Sequence, residues 1–210
     1  MKSFQLWWQD PATVSRMVKA LQQGQVVVGT SDTVVGLLAD ATQEGFQALN
    51  QIKGRVDKPY VVLIASSDKL THFVQTPLTS QVQKLIASCW PGPLTLVLPT
   101  KTGIGQFLAP SGSIALRVPK HEGLLALLPH FEGVYSTSAN LSGHPVPATL
   151  DELDPGIREK VAYVVGDKNE VSTVVPSTII DCTGEQLKVI REGAYSIAEL
   201  EKMVSHTIGY

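Results

Sequence analysis

Three cations lie close together at the start of an apolar segment. Lys53, Arg55 and Lys58 occur in "IKGRVDKP", and "YVVLIA" (60–65) follows directly. Cations stabilise the carboxyl end of a helix, where the helix carries partial negative charge. They also bind phosphate and carboxylate groups, which arginine meets with a two-pronged fork and lysine with a point charge. The spacing is therefore compatible with a helix end and with an anion site.

Two further arginines occur inside apolar segments that are typical of strands. Arg117 lies in "IALRVP", and Arg191 lies in "VIREG". A cation is costly to bury unless a compensating group accompanies it. We therefore expect both side chains to take part in an anion-binding site.

Small hydroxyl and amide side chains follow several of the apolar segments. They occur in "GTSDTVVG" (29–36), "STSAN" (136–140) and "VPSTIID" (175–181). Ligands of open α/β sheets collect in loops at strand ends, although "STSAN" taken alone is better explained as a plain asparagine turn. No cysteine, histidine or paired carboxylate stands out as a nucleophile or base. Catalysis would therefore depend on positioning and charge stabilisation, as in phosphoryl and nucleotidyl transfer.

The composition limits the classes of protein to which the chain can belong. Hydrophobic residues make up 43% of the 210 residues and charged residues 17%, which is typical of a compact soluble protein. The net charge of −2 excludes a generally basic nucleic-acid coat but leaves room for a local basic cleft. Neither GxxxxGK(S/T) nor GxGxxG occurs, which argues against a P-loop enzyme and a Rossmann dehydrogenase.

Cysteine and histidine usage indicates neither a disulfide framework nor a metal site. Cys89 and Cys182 form no CxxC pair, and the five histidines show no metal-binding spacing, so no metal-binding side chains are predicted. Two isolated cysteines are consistent with a reducing, cytoplasmic location. The first residues lack the pattern of a signal peptide, and no apolar run approaches the roughly 20 residues that span a bilayer. We expect no membrane contact.

Helical and strand-like segments alternate along the chain. Strands are predicted at 25–29, 37–41, 60–65, 94–99, 113–119, the first part of 133–143, 161–165, 177–182 and 187–191. Helices are predicted from Asp10-Pro11 to Gly24, and at 44–53, 78–90, 122–129 and 196–205. The proline-rich segment 143–156 is predicted to be a surface loop. This alternation favours one α/β domain over residues 1–210.

Seven ordered segments, taken together, resemble the YrdC family of threonylcarbamoyl-AMP synthases. They are "SDTVVGLLADA", "IKGRVDKP", "CWPGPLTLVLP", "IALRVPKH", "STSANLSG", "PSTIID" and "VIREG". The family signature, KxR followed later by SxN, is matched by 53–55 and 138–140. The resemblance extends from about residue 10 to about residue 195, and the chain is similar to the short, stand-alone members. It implies a YrdC-like fold, a twisted open mixed sheet with flanking helices around a concave basic cleft.

The resemblance also implies a reaction. The family condenses L-threonine, bicarbonate and ATP into L-threonylcarbamoyladenylate and releases pyrophosphate, with Mg²⁺ expected to share the charge of the phosphates. Partner proteins then transfer the threonylcarbamoyl group to an adenosine beside the anticodon of tRNA. On this basis we expect a cytoplasmic nucleotidyltransferase of tRNA modification, with possible direct contact to tRNA or double-stranded RNA.

Matching positions imply a role for individual residues. Those implied to hold threonine are Thr33, Arg117 and Ser177, with Arg117 on the carboxylate. Those implied to contact ATP are Arg55, Lys58, Ser113, Ser136, Ser138, Asn140, Val146 and Arg191, with Lys53 beside the triphosphate. The KxR and SxN residues Lys53, Arg55, Ser138 and Asn140 are implied to be catalytic. Val35 and Leu63 depart from the family pattern, which has an aromatic residue and, in some members, a histidine there.

Two alternatives remain open from the sequence. The same cations would suit a module that binds double-stranded RNA or tRNA without catalysis, because phosphate contacts dominate such binding. A relative with the same fold could also have lost synthesis or use another carbamoyl acceptor. For the enzyme, we expect Lys53→Ala and Arg55→Ala to abolish turnover without disturbing the fold, since neither residue is predicted to lie in the core.

Overall fold

One mixed β-sheet runs through the whole fold. The structure is a computed structural model that describes residues 4–54, 59–167, 175–205 and 208–209. The strands in these ranges are β1 (Phe4–Trp7), β2 (Val27–Gly29), β3 (Gly36–Asp40), β4 (Val61–Leu63), β5 (Leu94–Pro99), β6 (Ser113–Arg117), β7 (Val134–Ser138), β8 (Tyr163–Gly166), β9 (Thr178–Asp181) and β10 (Lys188–Arg191). Their order in the sheet is β1-β8-β2-β3-β7-β4-β6-β5-β9-β10. Strand pairs are parallel for β1–β8, β8–β2, β4–β6 and β5–β9, and antiparallel for the others.

Helices flank this sheet in the described part of the chain. They are α1 (Thr13–Gln22), α2 (Gln43–Lys53), α3 (Leu70–Phe73), α4 (Ser80–Cys89), α5 (Glu122–Leu127), α6 (Pro155–Arg158) and α7 (Ile197–Val204), with short 3₁₀ turns at Ser67–Lys69 and Leu128–His130. Within the described ranges, every helix falls short of the length and apolar character needed to cross a membrane. The prediction of an α/β fold with a mixed sheet and flanking helices is confirmed.

Local signals explain where the predicted helices begin and end. The Thr42 hydroxyl caps α2 by accepting a hydrogen bond from the amide of Gly45 (3.1 Å), and Gly54 ends the helix in the left-handed region with φ of 61°. Ser196 and Glu199 form a capping box at the start of α7. These caps agree with the helices predicted at 44–53 and 196–205.

Three local predictions differ from the structure. Strand β1 was missed because it is a four-residue edge strand, and its pairing with β8 joins segments far apart in sequence. Helix α1 begins at Thr13 and not at Pro11, with Ala12 at the N-cap. The segment 143–156 is largely irregular, but Leu150 and Leu153 are buried and its end begins α6, which Asp154 caps.

The two faces of the sheet are covered to different extents. One face carries Val62, Leu116 and Tyr135 and contributes to a large core with residues of α2, α4 and α7. The other face carries Leu38 and Val134, which pack with residues of α1 and α5 in a smaller core. Further along this second face, the strand residues line an open cavity instead. Paired residues in a sheet point to the same side, so the register determines which side chains reach that cavity.

A close approach between α2 and β3 leads to a stability prediction. A methyl group at Gly45 would lie 2.0 Å from the carbonyl oxygen of Asp40. Alanine normally stabilises a helix interior by about 1 kcal/mol relative to glycine. Here its methyl group would clash with a backbone atom, which cannot move away as a flexible side chain can. We expect Gly45→Ala to lower the free energy of unfolding by about 2 kcal/mol, measured by urea denaturation.

The matched control for this experiment is Gly184→Ala. The methyl group at 184 would meet no described atom closer than 3.9 Å, so we expect a change within about 0.5 kcal/mol. A Gly45→Ala protein as stable as the wild type would contradict the close packing of α2 on β3.

Candidate functional site

A cavity of about 360 Å³ lies on the incompletely covered face of the sheet. The predicted site residues that line it are Thr33, Arg117, Ser136, Ser138, Val146, Ser177 and Arg191. They come from the loop after β2, from β6, β7 and β10, and from the segments before α6 and β9. Register explains the convergence, because Ser136 pairs with Val61, Val61 with Ala115, and Leu63 with Arg117. The cavity therefore lies across a sheet face and not only at the strand ends that the sequence suggested.

Arg117 is the most deeply buried charge of this cavity. Its residue is 5% exposed, and its Nε donates a hydrogen bond to the carbonyl of Gly92 (3.0 Å). Nη1 donates to the hydroxyl of Thr33 (3.0 Å), and Nη2 forms an ion pair with Asp32. Burial lowers the pKa of the Arg117 guanidinium, while the Asp32 carboxylate opposes that shift. The guanidinium is thus held in a defined orientation at the cavity wall.

Asp32 is a functional residue that the sequence reasoning missed. Its second carboxylate oxygen accepts a hydrogen bond from the backbone amide of Lys120 (2.9 Å). The available signal was indirect: a strand arginine needs a counter-charge, and "TSDT" offers a carboxylate directly beside Thr33. Only the fold shows that this loop meets the end of β6.

Arg191 and Ser177 form a second polar group in the cavity. Nε and Nη2 of Arg191 donate to the backbone carbonyl of Ser177 (3.1 and 2.8 Å). The Ser177 hydroxyl lies 2.8 Å from that of Thr95, which is fully buried and was also missed by the sequence reasoning. Burial lowers the pKa of the Arg191 guanidinium, and the charge of Arg117 lowers it further. Both arginines line the same cavity.

Lys53 does not line this cavity, and the expectation that it lies outside the core is wrong. The residue is 3% exposed, and its ammonium group donates to the backbone carbonyls of Ser138 (2.8 Å) and Asn140 (2.7 Å). It also donates to Oδ1 of Asn140 (2.8 Å). Three acceptors match the three N–H groups of an ammonium ion and offset its burial. In this structure Lys53 holds the "STSAN" loop, and a contact with phosphate stays a prediction.

Asn140 closes the same loop with its side-chain amide. Its Oδ1 also accepts from the hydroxyl of Ser138 (2.6 Å), and its Nδ2 donates to the backbone carbonyl of His144. The asparagine-turn interpretation is therefore supported by these contacts. Asn140 and Val146 line a neighbouring cavity of about 360 Å³, so Val146 belongs to both cavities.

One more predicted position does not line the cavity. Ser113 is half-buried at the start of β6, where it pairs with Pro99, and it is not among the residues that line the cavity. Arg55 and Lys58 lie outside the described residues, so their predicted roles stay predictions. Val35 and Leu63, the departures from the family pattern, are both buried.

The chemistry available at the cavity is anion binding by arginine and hydroxyl groups. Among the described residues that line it, the charged ones are Arg117 and Arg191. Within the described ranges, no group of three or more histidine, cysteine, aspartate or glutamate residues is arranged to hold a metal ion. Both cysteines are free and buried, and burial raises the pKa of the Cys89 thiol to about 11, so it is not a thiolate at neutral pH.

Comparisons with known proteins agree on one family. The Sua5/YciO/YrdC family model, described as "Telomere recombination", matches residues 19–193. A Pyrococcus abyssi protein named threonylcarbamoyl-AMP synthase is 31% identical over 188 residues, which cover 88% of this chain and 55% of its own length. A Mycobacterium tuberculosis relative is 32% identical over 202 residues, 93% of this chain and 92% of its own.

A solved structure of the same family is also similar to this chain. The crystal structure of P. abyssi Sua5 complexed with L-threonine matches with a TM-score of 0.89 at 26% identity, covering 100% of this chain and 63% of that one. The chain thus spans about half the length of the P. abyssi relative with which it aligns in sequence.

The environment of Lys53 predicts a large loss of stability on substitution. Lys53→Met keeps the length of the side chain but removes a charged donor from three oxygens, two of which keep one other hydrogen bond each: the Ser138 carbonyl that from the amide of Asn140 (3.0 Å), and Asn140 Oδ1 that from the Ser138 hydroxyl (2.6 Å). We expect the free energy of unfolding to fall by about 3 kcal/mol, measured by urea denaturation.

Lys101→Met is the matched control for this change. Lys101 is exposed, and its ammonium group also donates to a backbone carbonyl, that of Thr71 (3.0 Å). We expect its loss to change stability by less than about 0.5 kcal/mol. Equal stability of the Lys53→Met and wild-type proteins would instead support the original expectation for Lys53.

Proposed function

We propose that this chain, which belongs to the Sua5/YciO/YrdC family, is an L-threonylcarbamoyladenylate synthase that uses L-threonine, bicarbonate and ATP. The observation that carries the proposal is the convergence of Thr33, Arg117 and Ser177 on one cavity. Each is almost completely buried and hydrogen-bonded, so the three form a preorganised polar site. The threonine complex of the related Sua5 supports an amino acid as its ligand.

The geometry of Arg117 suits a ligand carboxylate. Three of the five N–H groups of Arg117 donate hydrogen bonds to described residues. The acceptors are the carbonyl of Gly92, the hydroxyl of Thr33 and the carboxylate of Asp32. One N–H group on each terminal nitrogen is left for a ligand, and two such groups match the two oxygens of a carboxylate. Because Asp32 pairs with Arg117, the guanidinium keeps its orientation before the amino acid binds.

Other residues of the same cavity suit the nucleotide. Ser136, Ser138 and Val146 line it, and Arg191 adds a second positive charge near Arg117. We assign Arg191, together with Arg55 and Lys58, to the phosphates of ATP. Mg²⁺ accompanies the phosphates in this proposal, as expected of a cation that keeps several of its waters.

The proposed reaction requires positioning more than acid–base chemistry. The threonine nitrogen forms a bond to the carbon of bicarbonate, and one C–O bond of bicarbonate breaks, its oxygen leaving as water with a proton from the nitrogen. An oxygen of the resulting carbamate then forms a bond to the α-phosphorus of ATP. The bond between that phosphorus and the leaving pyrophosphate breaks, and the negative charge that develops there is stabilised by nearby cations. The product is a reactive mixed anhydride, and we propose that a tRNA-modifying transferase consumes it in the cytoplasm.

The burial of Arg117 does not favour the RNA-binding module. Arg117 is 5% exposed and its partners hold it in the wall of the cavity, so it cannot reach the phosphates of a duplex lying on the surface. A small anionic ligand that enters the cavity can reach the same guanidinium.

The experiment that tests the function measures pyrophosphate release from ATP with Mg²⁺ and bicarbonate, with and without L-threonine. We expect release that depends on threonine, together with a product of the mass of threonylcarbamoyladenylate. Turnover with serine and none with threonine would overturn the assigned substrate. No release, combined with tight salt-sensitive binding of RNA, would replace the enzyme with the RNA-binding module.

Arg117 is expected to affect threonine more than ATP. Arg117→Lys keeps the charge but removes the planar fork, so we expect threonine to bind at least about tenfold more weakly and ATP to bind within about threefold of wild type. Arg117→Ala should also weaken threonine binding more than ATP binding. It should in addition lower the free energy of unfolding, because Asp32 loses its ion pair. Isothermal titration with each ligand measures both affinities.

The control for Arg117→Lys is Arg16→Lys, a conservative change of an exposed arginine on α1. It should leave both affinities unchanged. Equal losses of threonine and ATP affinity in Arg117→Lys would contradict the assignment of this residue to the amino acid.

A further inference from the structure

Asp167 does not line the cavity, but it connects three segments of the chain. It directly follows β8, and its Oδ1 accepts a hydrogen bond from the side chain of Gln9 (3.0 Å). Its Oδ2 accepts from the hydroxyl of Thr30 (2.7 Å) and lies 3.1 Å from Nε2 of His121. One carboxylate therefore bridges the ends of β1 and β2 and the start of α5.

The direction of each hydrogen bond follows from the other partners of the two donors. The Thr30 hydroxyl accepts from Nε1 of Trp8 (3.0 Å), so its own proton points to Asp167. Nδ1 of His121 accepts from the amide of Leu124 (3.2 Å), so the proton of the neutral imidazole lies on Nε2 and faces Asp167. Both donors are buried or nearly so and depend on this carboxylate.

The carboxylate is ionised under ordinary conditions. Partial burial raises the pKa of Asp167, but the hydrogen bonds from His121, Thr30 and Gln9 outweigh it and hold the pKa below its usual value. A charged acceptor strengthens each of these hydrogen bonds relative to a neutral one.

Two of the three segments joined by Asp167 carry Arg117 and its partners Asp32 and Thr33. Thr30 begins the loop that contains Asp32 and Thr33, and His121 follows Lys120, whose backbone amide donates to Asp32. Asp32 thus links the loop to the end of β6 from the cavity side, and Asp167 links the same two segments from the outer side. Loss of the outer link would let the loop move relative to Arg117.

We propose that Asp167 is a positioning residue that holds the Thr33 loop against the Arg117 segment for binding of the amino-acid substrate. This inference rests on the proposed function and extends it to a residue that does not line the cavity. It predicts a change in KM for threonine and not in KM for ATP. The residues assigned to the nucleotide, Ser136 and Ser138, lie on β7, outside the two segments.

The test compares Asp167→Ala with Asp167→Asn. Asp167→Ala removes the acceptor, and we expect KM for threonine to rise about tenfold while KM for ATP stays within about twofold. Asp167→Asn can keep an oxygen toward Thr30 and His121 while Gln9 turns its amide to meet the new NH₂ group, so we expect its KM values to stay within about threefold of wild type. Steady-state pyrophosphate release, below the melting temperature of every variant, gives these constants.

The matched control is Glu132→Ala. Glu132 is also a carboxylate that pairs with a histidine, His72, and with Lys69, but it precedes β7 at the end opposite Ser138. Its removal should leave both KM values unchanged. If Asp167→Ala lowers only the melting temperature, or raises both KM values equally, the residue is a stability element and the inference is overturned.

A measurement that does not require activity separates this inference from the proposed function. Hydrogen exchange of the amides in residues 30–33 and 117–124, followed by mass spectrometry, should be faster in Asp167→Ala than in Glu132→Ala and the wild type. Unchanged exchange would overturn the link between the two segments. A wild-type protein that releases no pyrophosphate would overturn the proposed function, while the exchange result would still decide whether Asp167 joins them.

Discussion

The buried guanidinium of Arg117 is the constraint on which the site depends. A charge removed from water is costly unless its partners are placed well enough to compensate, and a guanidinium needs several partners in one plane. Here they are the carboxylate of Asp32, the hydroxyl of Thr33 and the carbonyl of Gly92. These groups come from two loops far apart in sequence, so satisfying Arg117 brings both loops to the end of β6.

The sheet can accommodate such a site because its two faces have different partners. Along β7, Tyr135 points into the large core, whereas Ser136 and Ser138 point to the face that α1 and α5 only partly cover. Side chains alternate with a period of two, so a single strand can serve the core and the cavity at once. The cavity is the part of the second face over which the helices do not extend, so polar side chains of the strands can line it there.

Lys53 and Arg117 show two solutions to the same physical problem. Both are cations of very low exposure, but Arg117 pairs with a carboxylate and Lys53 with backbone and amide oxygens. Lysine can be satisfied by three converging carbonyl oxygens because its ammonium is compact. The consequence is that one cation of the signature supports the loop carrying Ser138 and Asn140, while Arg117 faces the cavity itself.

The sequence by itself determined the strands with continuous apolar runs, the capped helices, and the fact that Arg117 needs a compensating group. These are properties of single residues or of neighbours within a few positions, such as the caps of Thr42 and Gly54 at the two ends of α2. Only the tertiary structure decided which group compensates each cation, that Lys53 is buried, and that Asp32 and Asp167 bind the same pair of segments. The pairing of β1 with β8 was also decided only by the tertiary structure. Such contacts depend on which distant segments the sheet brings together, and a carboxylate in a loop carries no local mark of the partner that it will meet.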